Sequence, residues 1–124
     1  MALREEVFKE MLILRDRTPD ISGSVACTVD GLPIACDVAD EGAEQTAALS
    51  AALLALSRRM TTTAGKGTLE ETLISGSAGY AAFYPAGPTI VLTVLAGPGT
   101  NLGLLRLEGR KTAATLAAIA SQMS

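Results

Sequence analysis

Residues 25–37 read VACTVDGLPIACD, two short apolar runs on either side of Asp30-Gly31, each carrying one cysteine. An Asp-Gly pair between such runs predicts a β-hairpin whose two-residue turn wants positive φ at both central residues. That register sets Val29 opposite Leu32, Cys27 opposite Ile34 and Val25 opposite Cys36. These apolar residues then share one face, while Ala26, Thr28, Pro33, Ala35 and Asp37 take the other. A slip of one residue would turn the apolar set to water, so the register is well specified. Pro33 has no N–H to give a ladder, which places the second strand at a sheet edge. The two thiols fall on one face as diagonal neighbours. With no CxxC spacing and no neighbouring cation to favour a thiolate, they read as small buried hydrophobes.

Upstream, Leu3, Val7, Met11 and Leu14 recur at helical spacing and predict a helix over 3–17, ended by Thr18-Pro19-Asp20. Downstream, a second helix is expected over 42–62, with Asp40 as its N-cap and Glu41 and Glu44 in its first turn. Between Glu44 and Arg58 it carries no charge. Leu49, Leu53, Leu56 and Met60 form one stripe, and Ala43, Ala47, Ala51 and Leu54 form a second, roughly opposite. A helix apolar all round must be covered all round. One stripe is therefore expected on the chain's own sheet and the other on a second copy. Strands follow over 68–75, 79–84 and 89–95, the first with the charge of an edge and the others apolar on both faces. A last helix over 101–122 buries Leu102, Leu105, Ala113, Leu116, Ile119 and Ala120, and Gly109 in that stripe lets helix and sheet close up. The order α-β-β-α-β-β-β-α with short turns predicts an α+β fold around an antiparallel sheet covered on both faces.

Composition narrows the function. A chain of 124 residues has the size of one domain, expected to span 1–124. Hydrophobic residues make up 48% but aromatics only 3%, so the core is alanine, leucine and valine and leaves little room for a ligand cavity. The net charge of −3 and the pI near 4.9 argue against nucleic acid. The charged N-terminal stretch does not read as a signal peptide, and no apolar run is long enough to span a membrane. A reducing cytoplasm suits the two cysteines. With no histidine, and two cysteines alone, no zinc site is expected, and neither a nucleophile–base pair nor a cofactor site stands out.

Several local patterns have plain structural readings. GPGTNLG, 97–103, places Leu102 where a dinucleotide loop needs its third glycine, and reads as a turn with Thr100 or Asn101 as helix cap. GKGT, 65–68, follows a helix and reads as its C-terminal loop. Glu70 and Glu71, adjacent on a strand, point to opposite faces and are no catalytic pair. Arg58 and Arg59 serve equally as helix-end cations or as contacts for a partner's carboxylates or phosphates. Leu12 and Ile13, like Leu104 and Leu107, lie off their helices' main stripes and are candidates for partner contact.

Taken whole, the chain resembles the Roadblock/LC7 family, in particular its stand-alone actinobacterial members. DGLPIA, 30–35, and NLGLLRLE, 101–108, carry the resemblance at the right spacing and in the right element order. It implies a five-stranded antiparallel sheet with one helix on one face and two on the other. It also implies a homodimer through the second helix and third strand, here Ala43, Ala47, Ala51, Leu54, Thr68, Glu70 and Thr72. The partners it implies are a small Ras-like GTPase and a sensor-kinase complex, in a non-enzymatic regulatory or scaffolding role without a cofactor. The alternatives are a small-molecule sensor or an interaction module with no GTPase partner.

Overall fold

Helix α1, Leu3–Arg17, buries Val7, Met11 and Leu14, as the spacing predicts, and closes with the Thr18 N–H donating to Leu14 O at 3.1 Å. The structure is a computed structural model describing residues 2–38 and 40–123, with the side chains of all of these but Asp40 and Met123. The N-cap role expected of Asp40 rests on its side chain, which lies outside those described. The remaining elements are β1 (Ile21–Thr28), β2 (Pro33–Asp37), α2 (Asp40–Thr63), β3 (Thr72–Gly76), β4 (Gly79–Ala86), β5 (Ile90–Ala96) and α3 (Leu102–Met123). The expected order of elements stands. The third strand starts at Thr72, so 68–71 lead into it without pairing.

The five strands form one antiparallel sheet in the order β2-β1-β5-β4-β3. β1, β4 and β5 lie inside it, which is why their sequences are apolar on both faces. Val7, Met11 and Leu14 of α1 and Leu105, Ala113 and Leu116 of α3 share a core with Ala82, Tyr84, Leu92 and Val94. Ala47 and Leu54 of α2 pack on Val25, Cys27 and Val91 on the opposite face. The sheet thus has one helix on one side and two on the other.

The opening hairpin differs from its expected register. Val25 pairs with Cys36 and Ala26 with Ala35, but a bulge sets Cys27 opposite Pro33 instead of Ile34. Only Gly31 of the turn has positive φ, at 90°, and the loop closes through the Thr28 N–H to Leu32 O and the Leu32 N–H to Thr28 Oγ1. A side-chain acceptor and the extra bulge residue replace the tight two-residue turn. The bulge moves Ile34 onto the α1/α3 core, while Cys36 and Val29 stay with the α2 core.

At the start of α3, Asn101 is the cap: its Oδ1 accepts the Leu104 N–H at 3.0 Å, while Thr100 Oγ1 donates to Gly97 O. Gly109 does what its place in the stripe suggests. A Cβ there would sit 2.6 Å from Tyr84 Cε2, so the helix backbone rests on the tyrosine ring.

Candidate interface at the β3 edge and the open face of α2

A sheet of this order ends in two edges, and the sequence treats them differently. β2 is protected. Pro33 removes a donor, Arg4 Nε donates to Ile34 O at 2.9 Å, and Arg15 bonds Asp37 Oδ1 at 2.9 Å and Ser22 O at 2.7 Å. Such proline and charge keep an edge from recruiting another strand. β3 has no such protection: TLISG carries neither charge nor proline. Its pairing with β4 puts Leu73 beside Ala82 on the α3 face and Thr72 and Ile74 on the α2 face. Leu73 is 39% exposed and Ile74 46%, so a strand added to this edge would cover apolar side chains on both faces.

Beside this edge, α2 presents its second apolar stripe. Leu49 is 63% exposed, Leu56 61% and Met60 67%, while Ala43, Ala47, Ala51 and Leu54 are buried against the chain's own sheet. The expected assignment of the two stripes is therefore reversed. The four residues named as a dimer contact are already covered within one chain, and the larger side chains are the open ones. Small residues face the sheet because the helix lies close to it. Cys27 Sγ donates to Ala47 O at 3.6 Å, and a Cβ on Gly31 would come within 3.4 Å of Ala48 Cα. Burial without an acceptor for negative charge pushes the Cys27 thiol up to about 11, with the neighbouring Cys36 adding to the effect, so it is no ready nucleophile.

The other expected contact residues separate into groups. Thr68 and Glu70 are exposed in the lead-in to β3, and Thr72 is half-buried, its Oγ1 donating to Ser57 Oγ of α2 at 2.9 Å. Arg58 is half-buried and Arg59 exposed at the end of α2, flanking the open stripe. Leu12 is exposed and Ile13 half-buried on α1, across the sheet from α2, so they do not join Arg58 and Arg59 in one surface.

One cluster is not legible in the sequence. Glu71 reaches the α3 face, where it meets the Arg106 guanidinium and accepts from Arg110 Nε at 3.3 Å. Arg110 also lies 3.6 Å from Glu70, so the two carboxylates expected on opposite faces of a strand meet one guanidinium, because 70 and 71 lie in the lead-in to β3 and not in the strand. Burial pushes the Glu71 carboxyl up, but the bonds and charges of the two arginines outweigh it and hold the group below its ordinary value. Helix spacing of Arg106 and Arg110 was the available signal, since residues four apart share a face. Their acidic partner sits 35 and 39 residues away, beyond any local pattern.

No group of histidine, cysteine and carboxylate residues able to hold a metal occurs among the described residues, and none of the described helices is long and apolar enough to cross a membrane. An open recess of about 470 Å³ lies on the surface of α3 beside Arg106, Leu107 and Lys111.

The fold is that of several solved structures. A Roadblock/LC7 domain from Streptomyces avermitilis superimposes with a TM-score of 0.85 at 23% identity, covering 94% of this chain and 98% of that one. Myxococcus xanthus MglB gives 0.87 at 18%, covering 98% and 92%, and the gliding protein MglB from Thermus thermophilus gives 0.85 at 19%, covering 98% and 93%. In sequence, the uncharacterized protein MJ1340 of Methanocaldococcus jannaschii is 34% identical over 110 residues, 88% of this chain and 96% of its own length. A second protein of that organism, MJ0310, is 35% identical over 104 residues, 83% and 90% of the two chains. With the family's pattern matching residues 7–96 and relatives of this identity over nearly the whole length, the chain belongs to the Roadblock/LC7 domain family.

Proposed function

We propose that the protein is a non-enzymatic homodimer, a single domain spanning 1–124, that regulates or scaffolds a small Ras-like GTPase within a cytoplasmic bacterial signalling complex. The observation that carries the self-association is the undefended apolar edge of β3 lying beside the open Leu49–Leu56–Met60 stripe of α2. A two-fold axis at that edge joins β3 to β3 and brings the two α2 stripes together, so one operation covers both features. Family membership and the likeness to MglB structures, one of them described with a tetrameric arrangement, support an assembling, partner-binding role. The GTPase itself comes from what the family resemblance implies, as does association with a sensor kinase.

Light scattering after size exclusion at micromolar concentration tests the dimer, and a monodisperse monomer there refutes it. Titrating candidate Ras-like GTPases, loaded with GDP or a non-hydrolysable GTP analogue, tests the partner. Nucleotide-dependent binding supports the reading. Equal absence of binding in both states removes the GTPase and leaves an interaction module of another kind.

A further inference from the structure

β3 is anchored at its beginning from both helix layers, one tie on each face of the sheet. Glu71, just before the strand, is held by Arg106 and Arg110 of α3. Thr72, its first residue, is held by Ser57 of α2 at 2.9 Å. Consecutive residues in extended chain point to opposite faces, so the two ties pull on the same backbone from above and below. Beyond them, residues 73–78 are exposed and the strand pairs only with β4. A short edge strand with exposed residues and one paired side sits at the low-stability end of the fold, where local fraying concentrates.

We propose that this two-sided clamp orients β3 for pairing with β3 of a second copy, which makes Glu71, Arg106, Arg110, Ser57 and Thr72 positioning residues for that interface. The proposal rests on the homodimer reading above. Its logic is preorganisation: an edge that samples frayed states presents a pairing surface for only a fraction of the time, and affinity falls by that fraction. A symmetric dimer needs the ordered edge from both copies, so the apparent Kd rises as the inverse square of the ordered fraction. If losing one tie lowers that fraction to about one third, Kd rises about ninefold. The α3 tie is electrostatic and weakens with salt, whereas the Thr72–Ser57 tie does not.

The experiment measures dimer Kd by sedimentation across a dilution series for the wild type, Glu71→Gln, Thr72→Val, and the charge-swapped chain Glu70→Arg, Glu71→Arg, Arg106→Glu, Arg110→Glu. Amide exchange of residues 72–76 is followed in parallel on samples diluted below Kd. The expected result is a five- to tenfold weaker dimer for each of the first two variants, with faster exchange confined to 72–76 and Tm within a few degrees of wild type. The swapped chain returns Kd to within threefold. Unchanged Kd and unchanged exchange in Glu71→Gln and Thr72→Val overturn the clamp while leaving the dimer standing. A wild type that stays monomeric at every concentration overturns the dimer, and the exchange data then decide separately whether the clamp orders the strand.

Discussion

Leu49→Asp separates the two faces of α2 with a single substitution. Fully burying a leucine side chain stabilises by about 1.5–3 kcal/mol. Leu49 is 63% exposed in the single chain, so roughly that share of the gain, about 1–2 kcal/mol, is available on association. A symmetric interface loses it twice, about 2–4 kcal/mol, which raises Kd from about thirtyfold to several hundredfold. The aspartate adds the cost of burying a charge, so this range is a lower bound. Within the single chain the change is nearly silent, because the residue faces water on a helix where aspartate costs roughly 0.5 kcal/mol in propensity. Sedimentation equilibrium reads the first effect, and thermal unfolding at a concentration where the wild type is monomeric reads the second. A dimer weakened less than tenfold would show that this stripe is not the contact.

Ala51→Glu gives the opposite pattern. It places a charge in the α2–sheet core and is expected to unfold the chain itself, seen as lost near-UV ellipticity, and a folded monomer of normal Tm would place α2 wrongly. Gly109→Ala gains about 1 kcal/mol in helix propensity but drives a Cβ to 2.6 Å from Tyr84, at a cost of up to about 3 kcal/mol, so denaturant titration should show a net loss of up to about 2 kcal/mol. Equal or greater stability would refute the close approach. Stability should also fall as pH rises past 9. The Cys27 thiol keeps its proton to about 11 when folded but loses it near 9.0 when unfolded, so unfolding releases a proton in that window and alkali favours it. Tyr84, held up to about 12 by burial with help from Glu71, adds a second decline from about 10. Removing the thiol with Cys27→Ala should delay the onset of the alkaline transition. At pH 8, a thiol-alkylating reagent should label Cys36 before the buried Cys27, and simultaneous labelling in the folded protein would contradict the packing.

Much of the fold is written locally. Helix α1 follows from four apolar residues at helical spacing, and the structure ends it where Pro19 forbids continuation. Cys27 and Ala26 lie on opposite faces of a strand buried on both, as an apolar run between turns implies. Gly109 announces a close approach because nothing else explains a glycine amid a buried stripe. The near-uniform apolarity of α2 implies that its own sheet covers only one of its two stripes.

Which surface takes which stripe is a different kind of fact. Periodicity states that Leu49 and Ala47 lie on different sides of α2 but not which side meets the sheet. That depends on the distance between helix and sheet, set by all the layers at once, and the short distance here favours a stripe of three alanines and Leu54 over one of three leucines and a methionine. The bulge at Cys27 likewise depends on how Thr28 closes the loop, a choice invisible in the alternation of residues. The tie of Glu71 to Arg106 and Arg110 joins segments more than thirty residues apart, and only folding makes them neighbours. The sequence by itself therefore determined the elements, their order and the family. The tertiary structure decided which face of α2 and which edge of the sheet are left open, because exposure belongs to the packed whole and no single segment carries it.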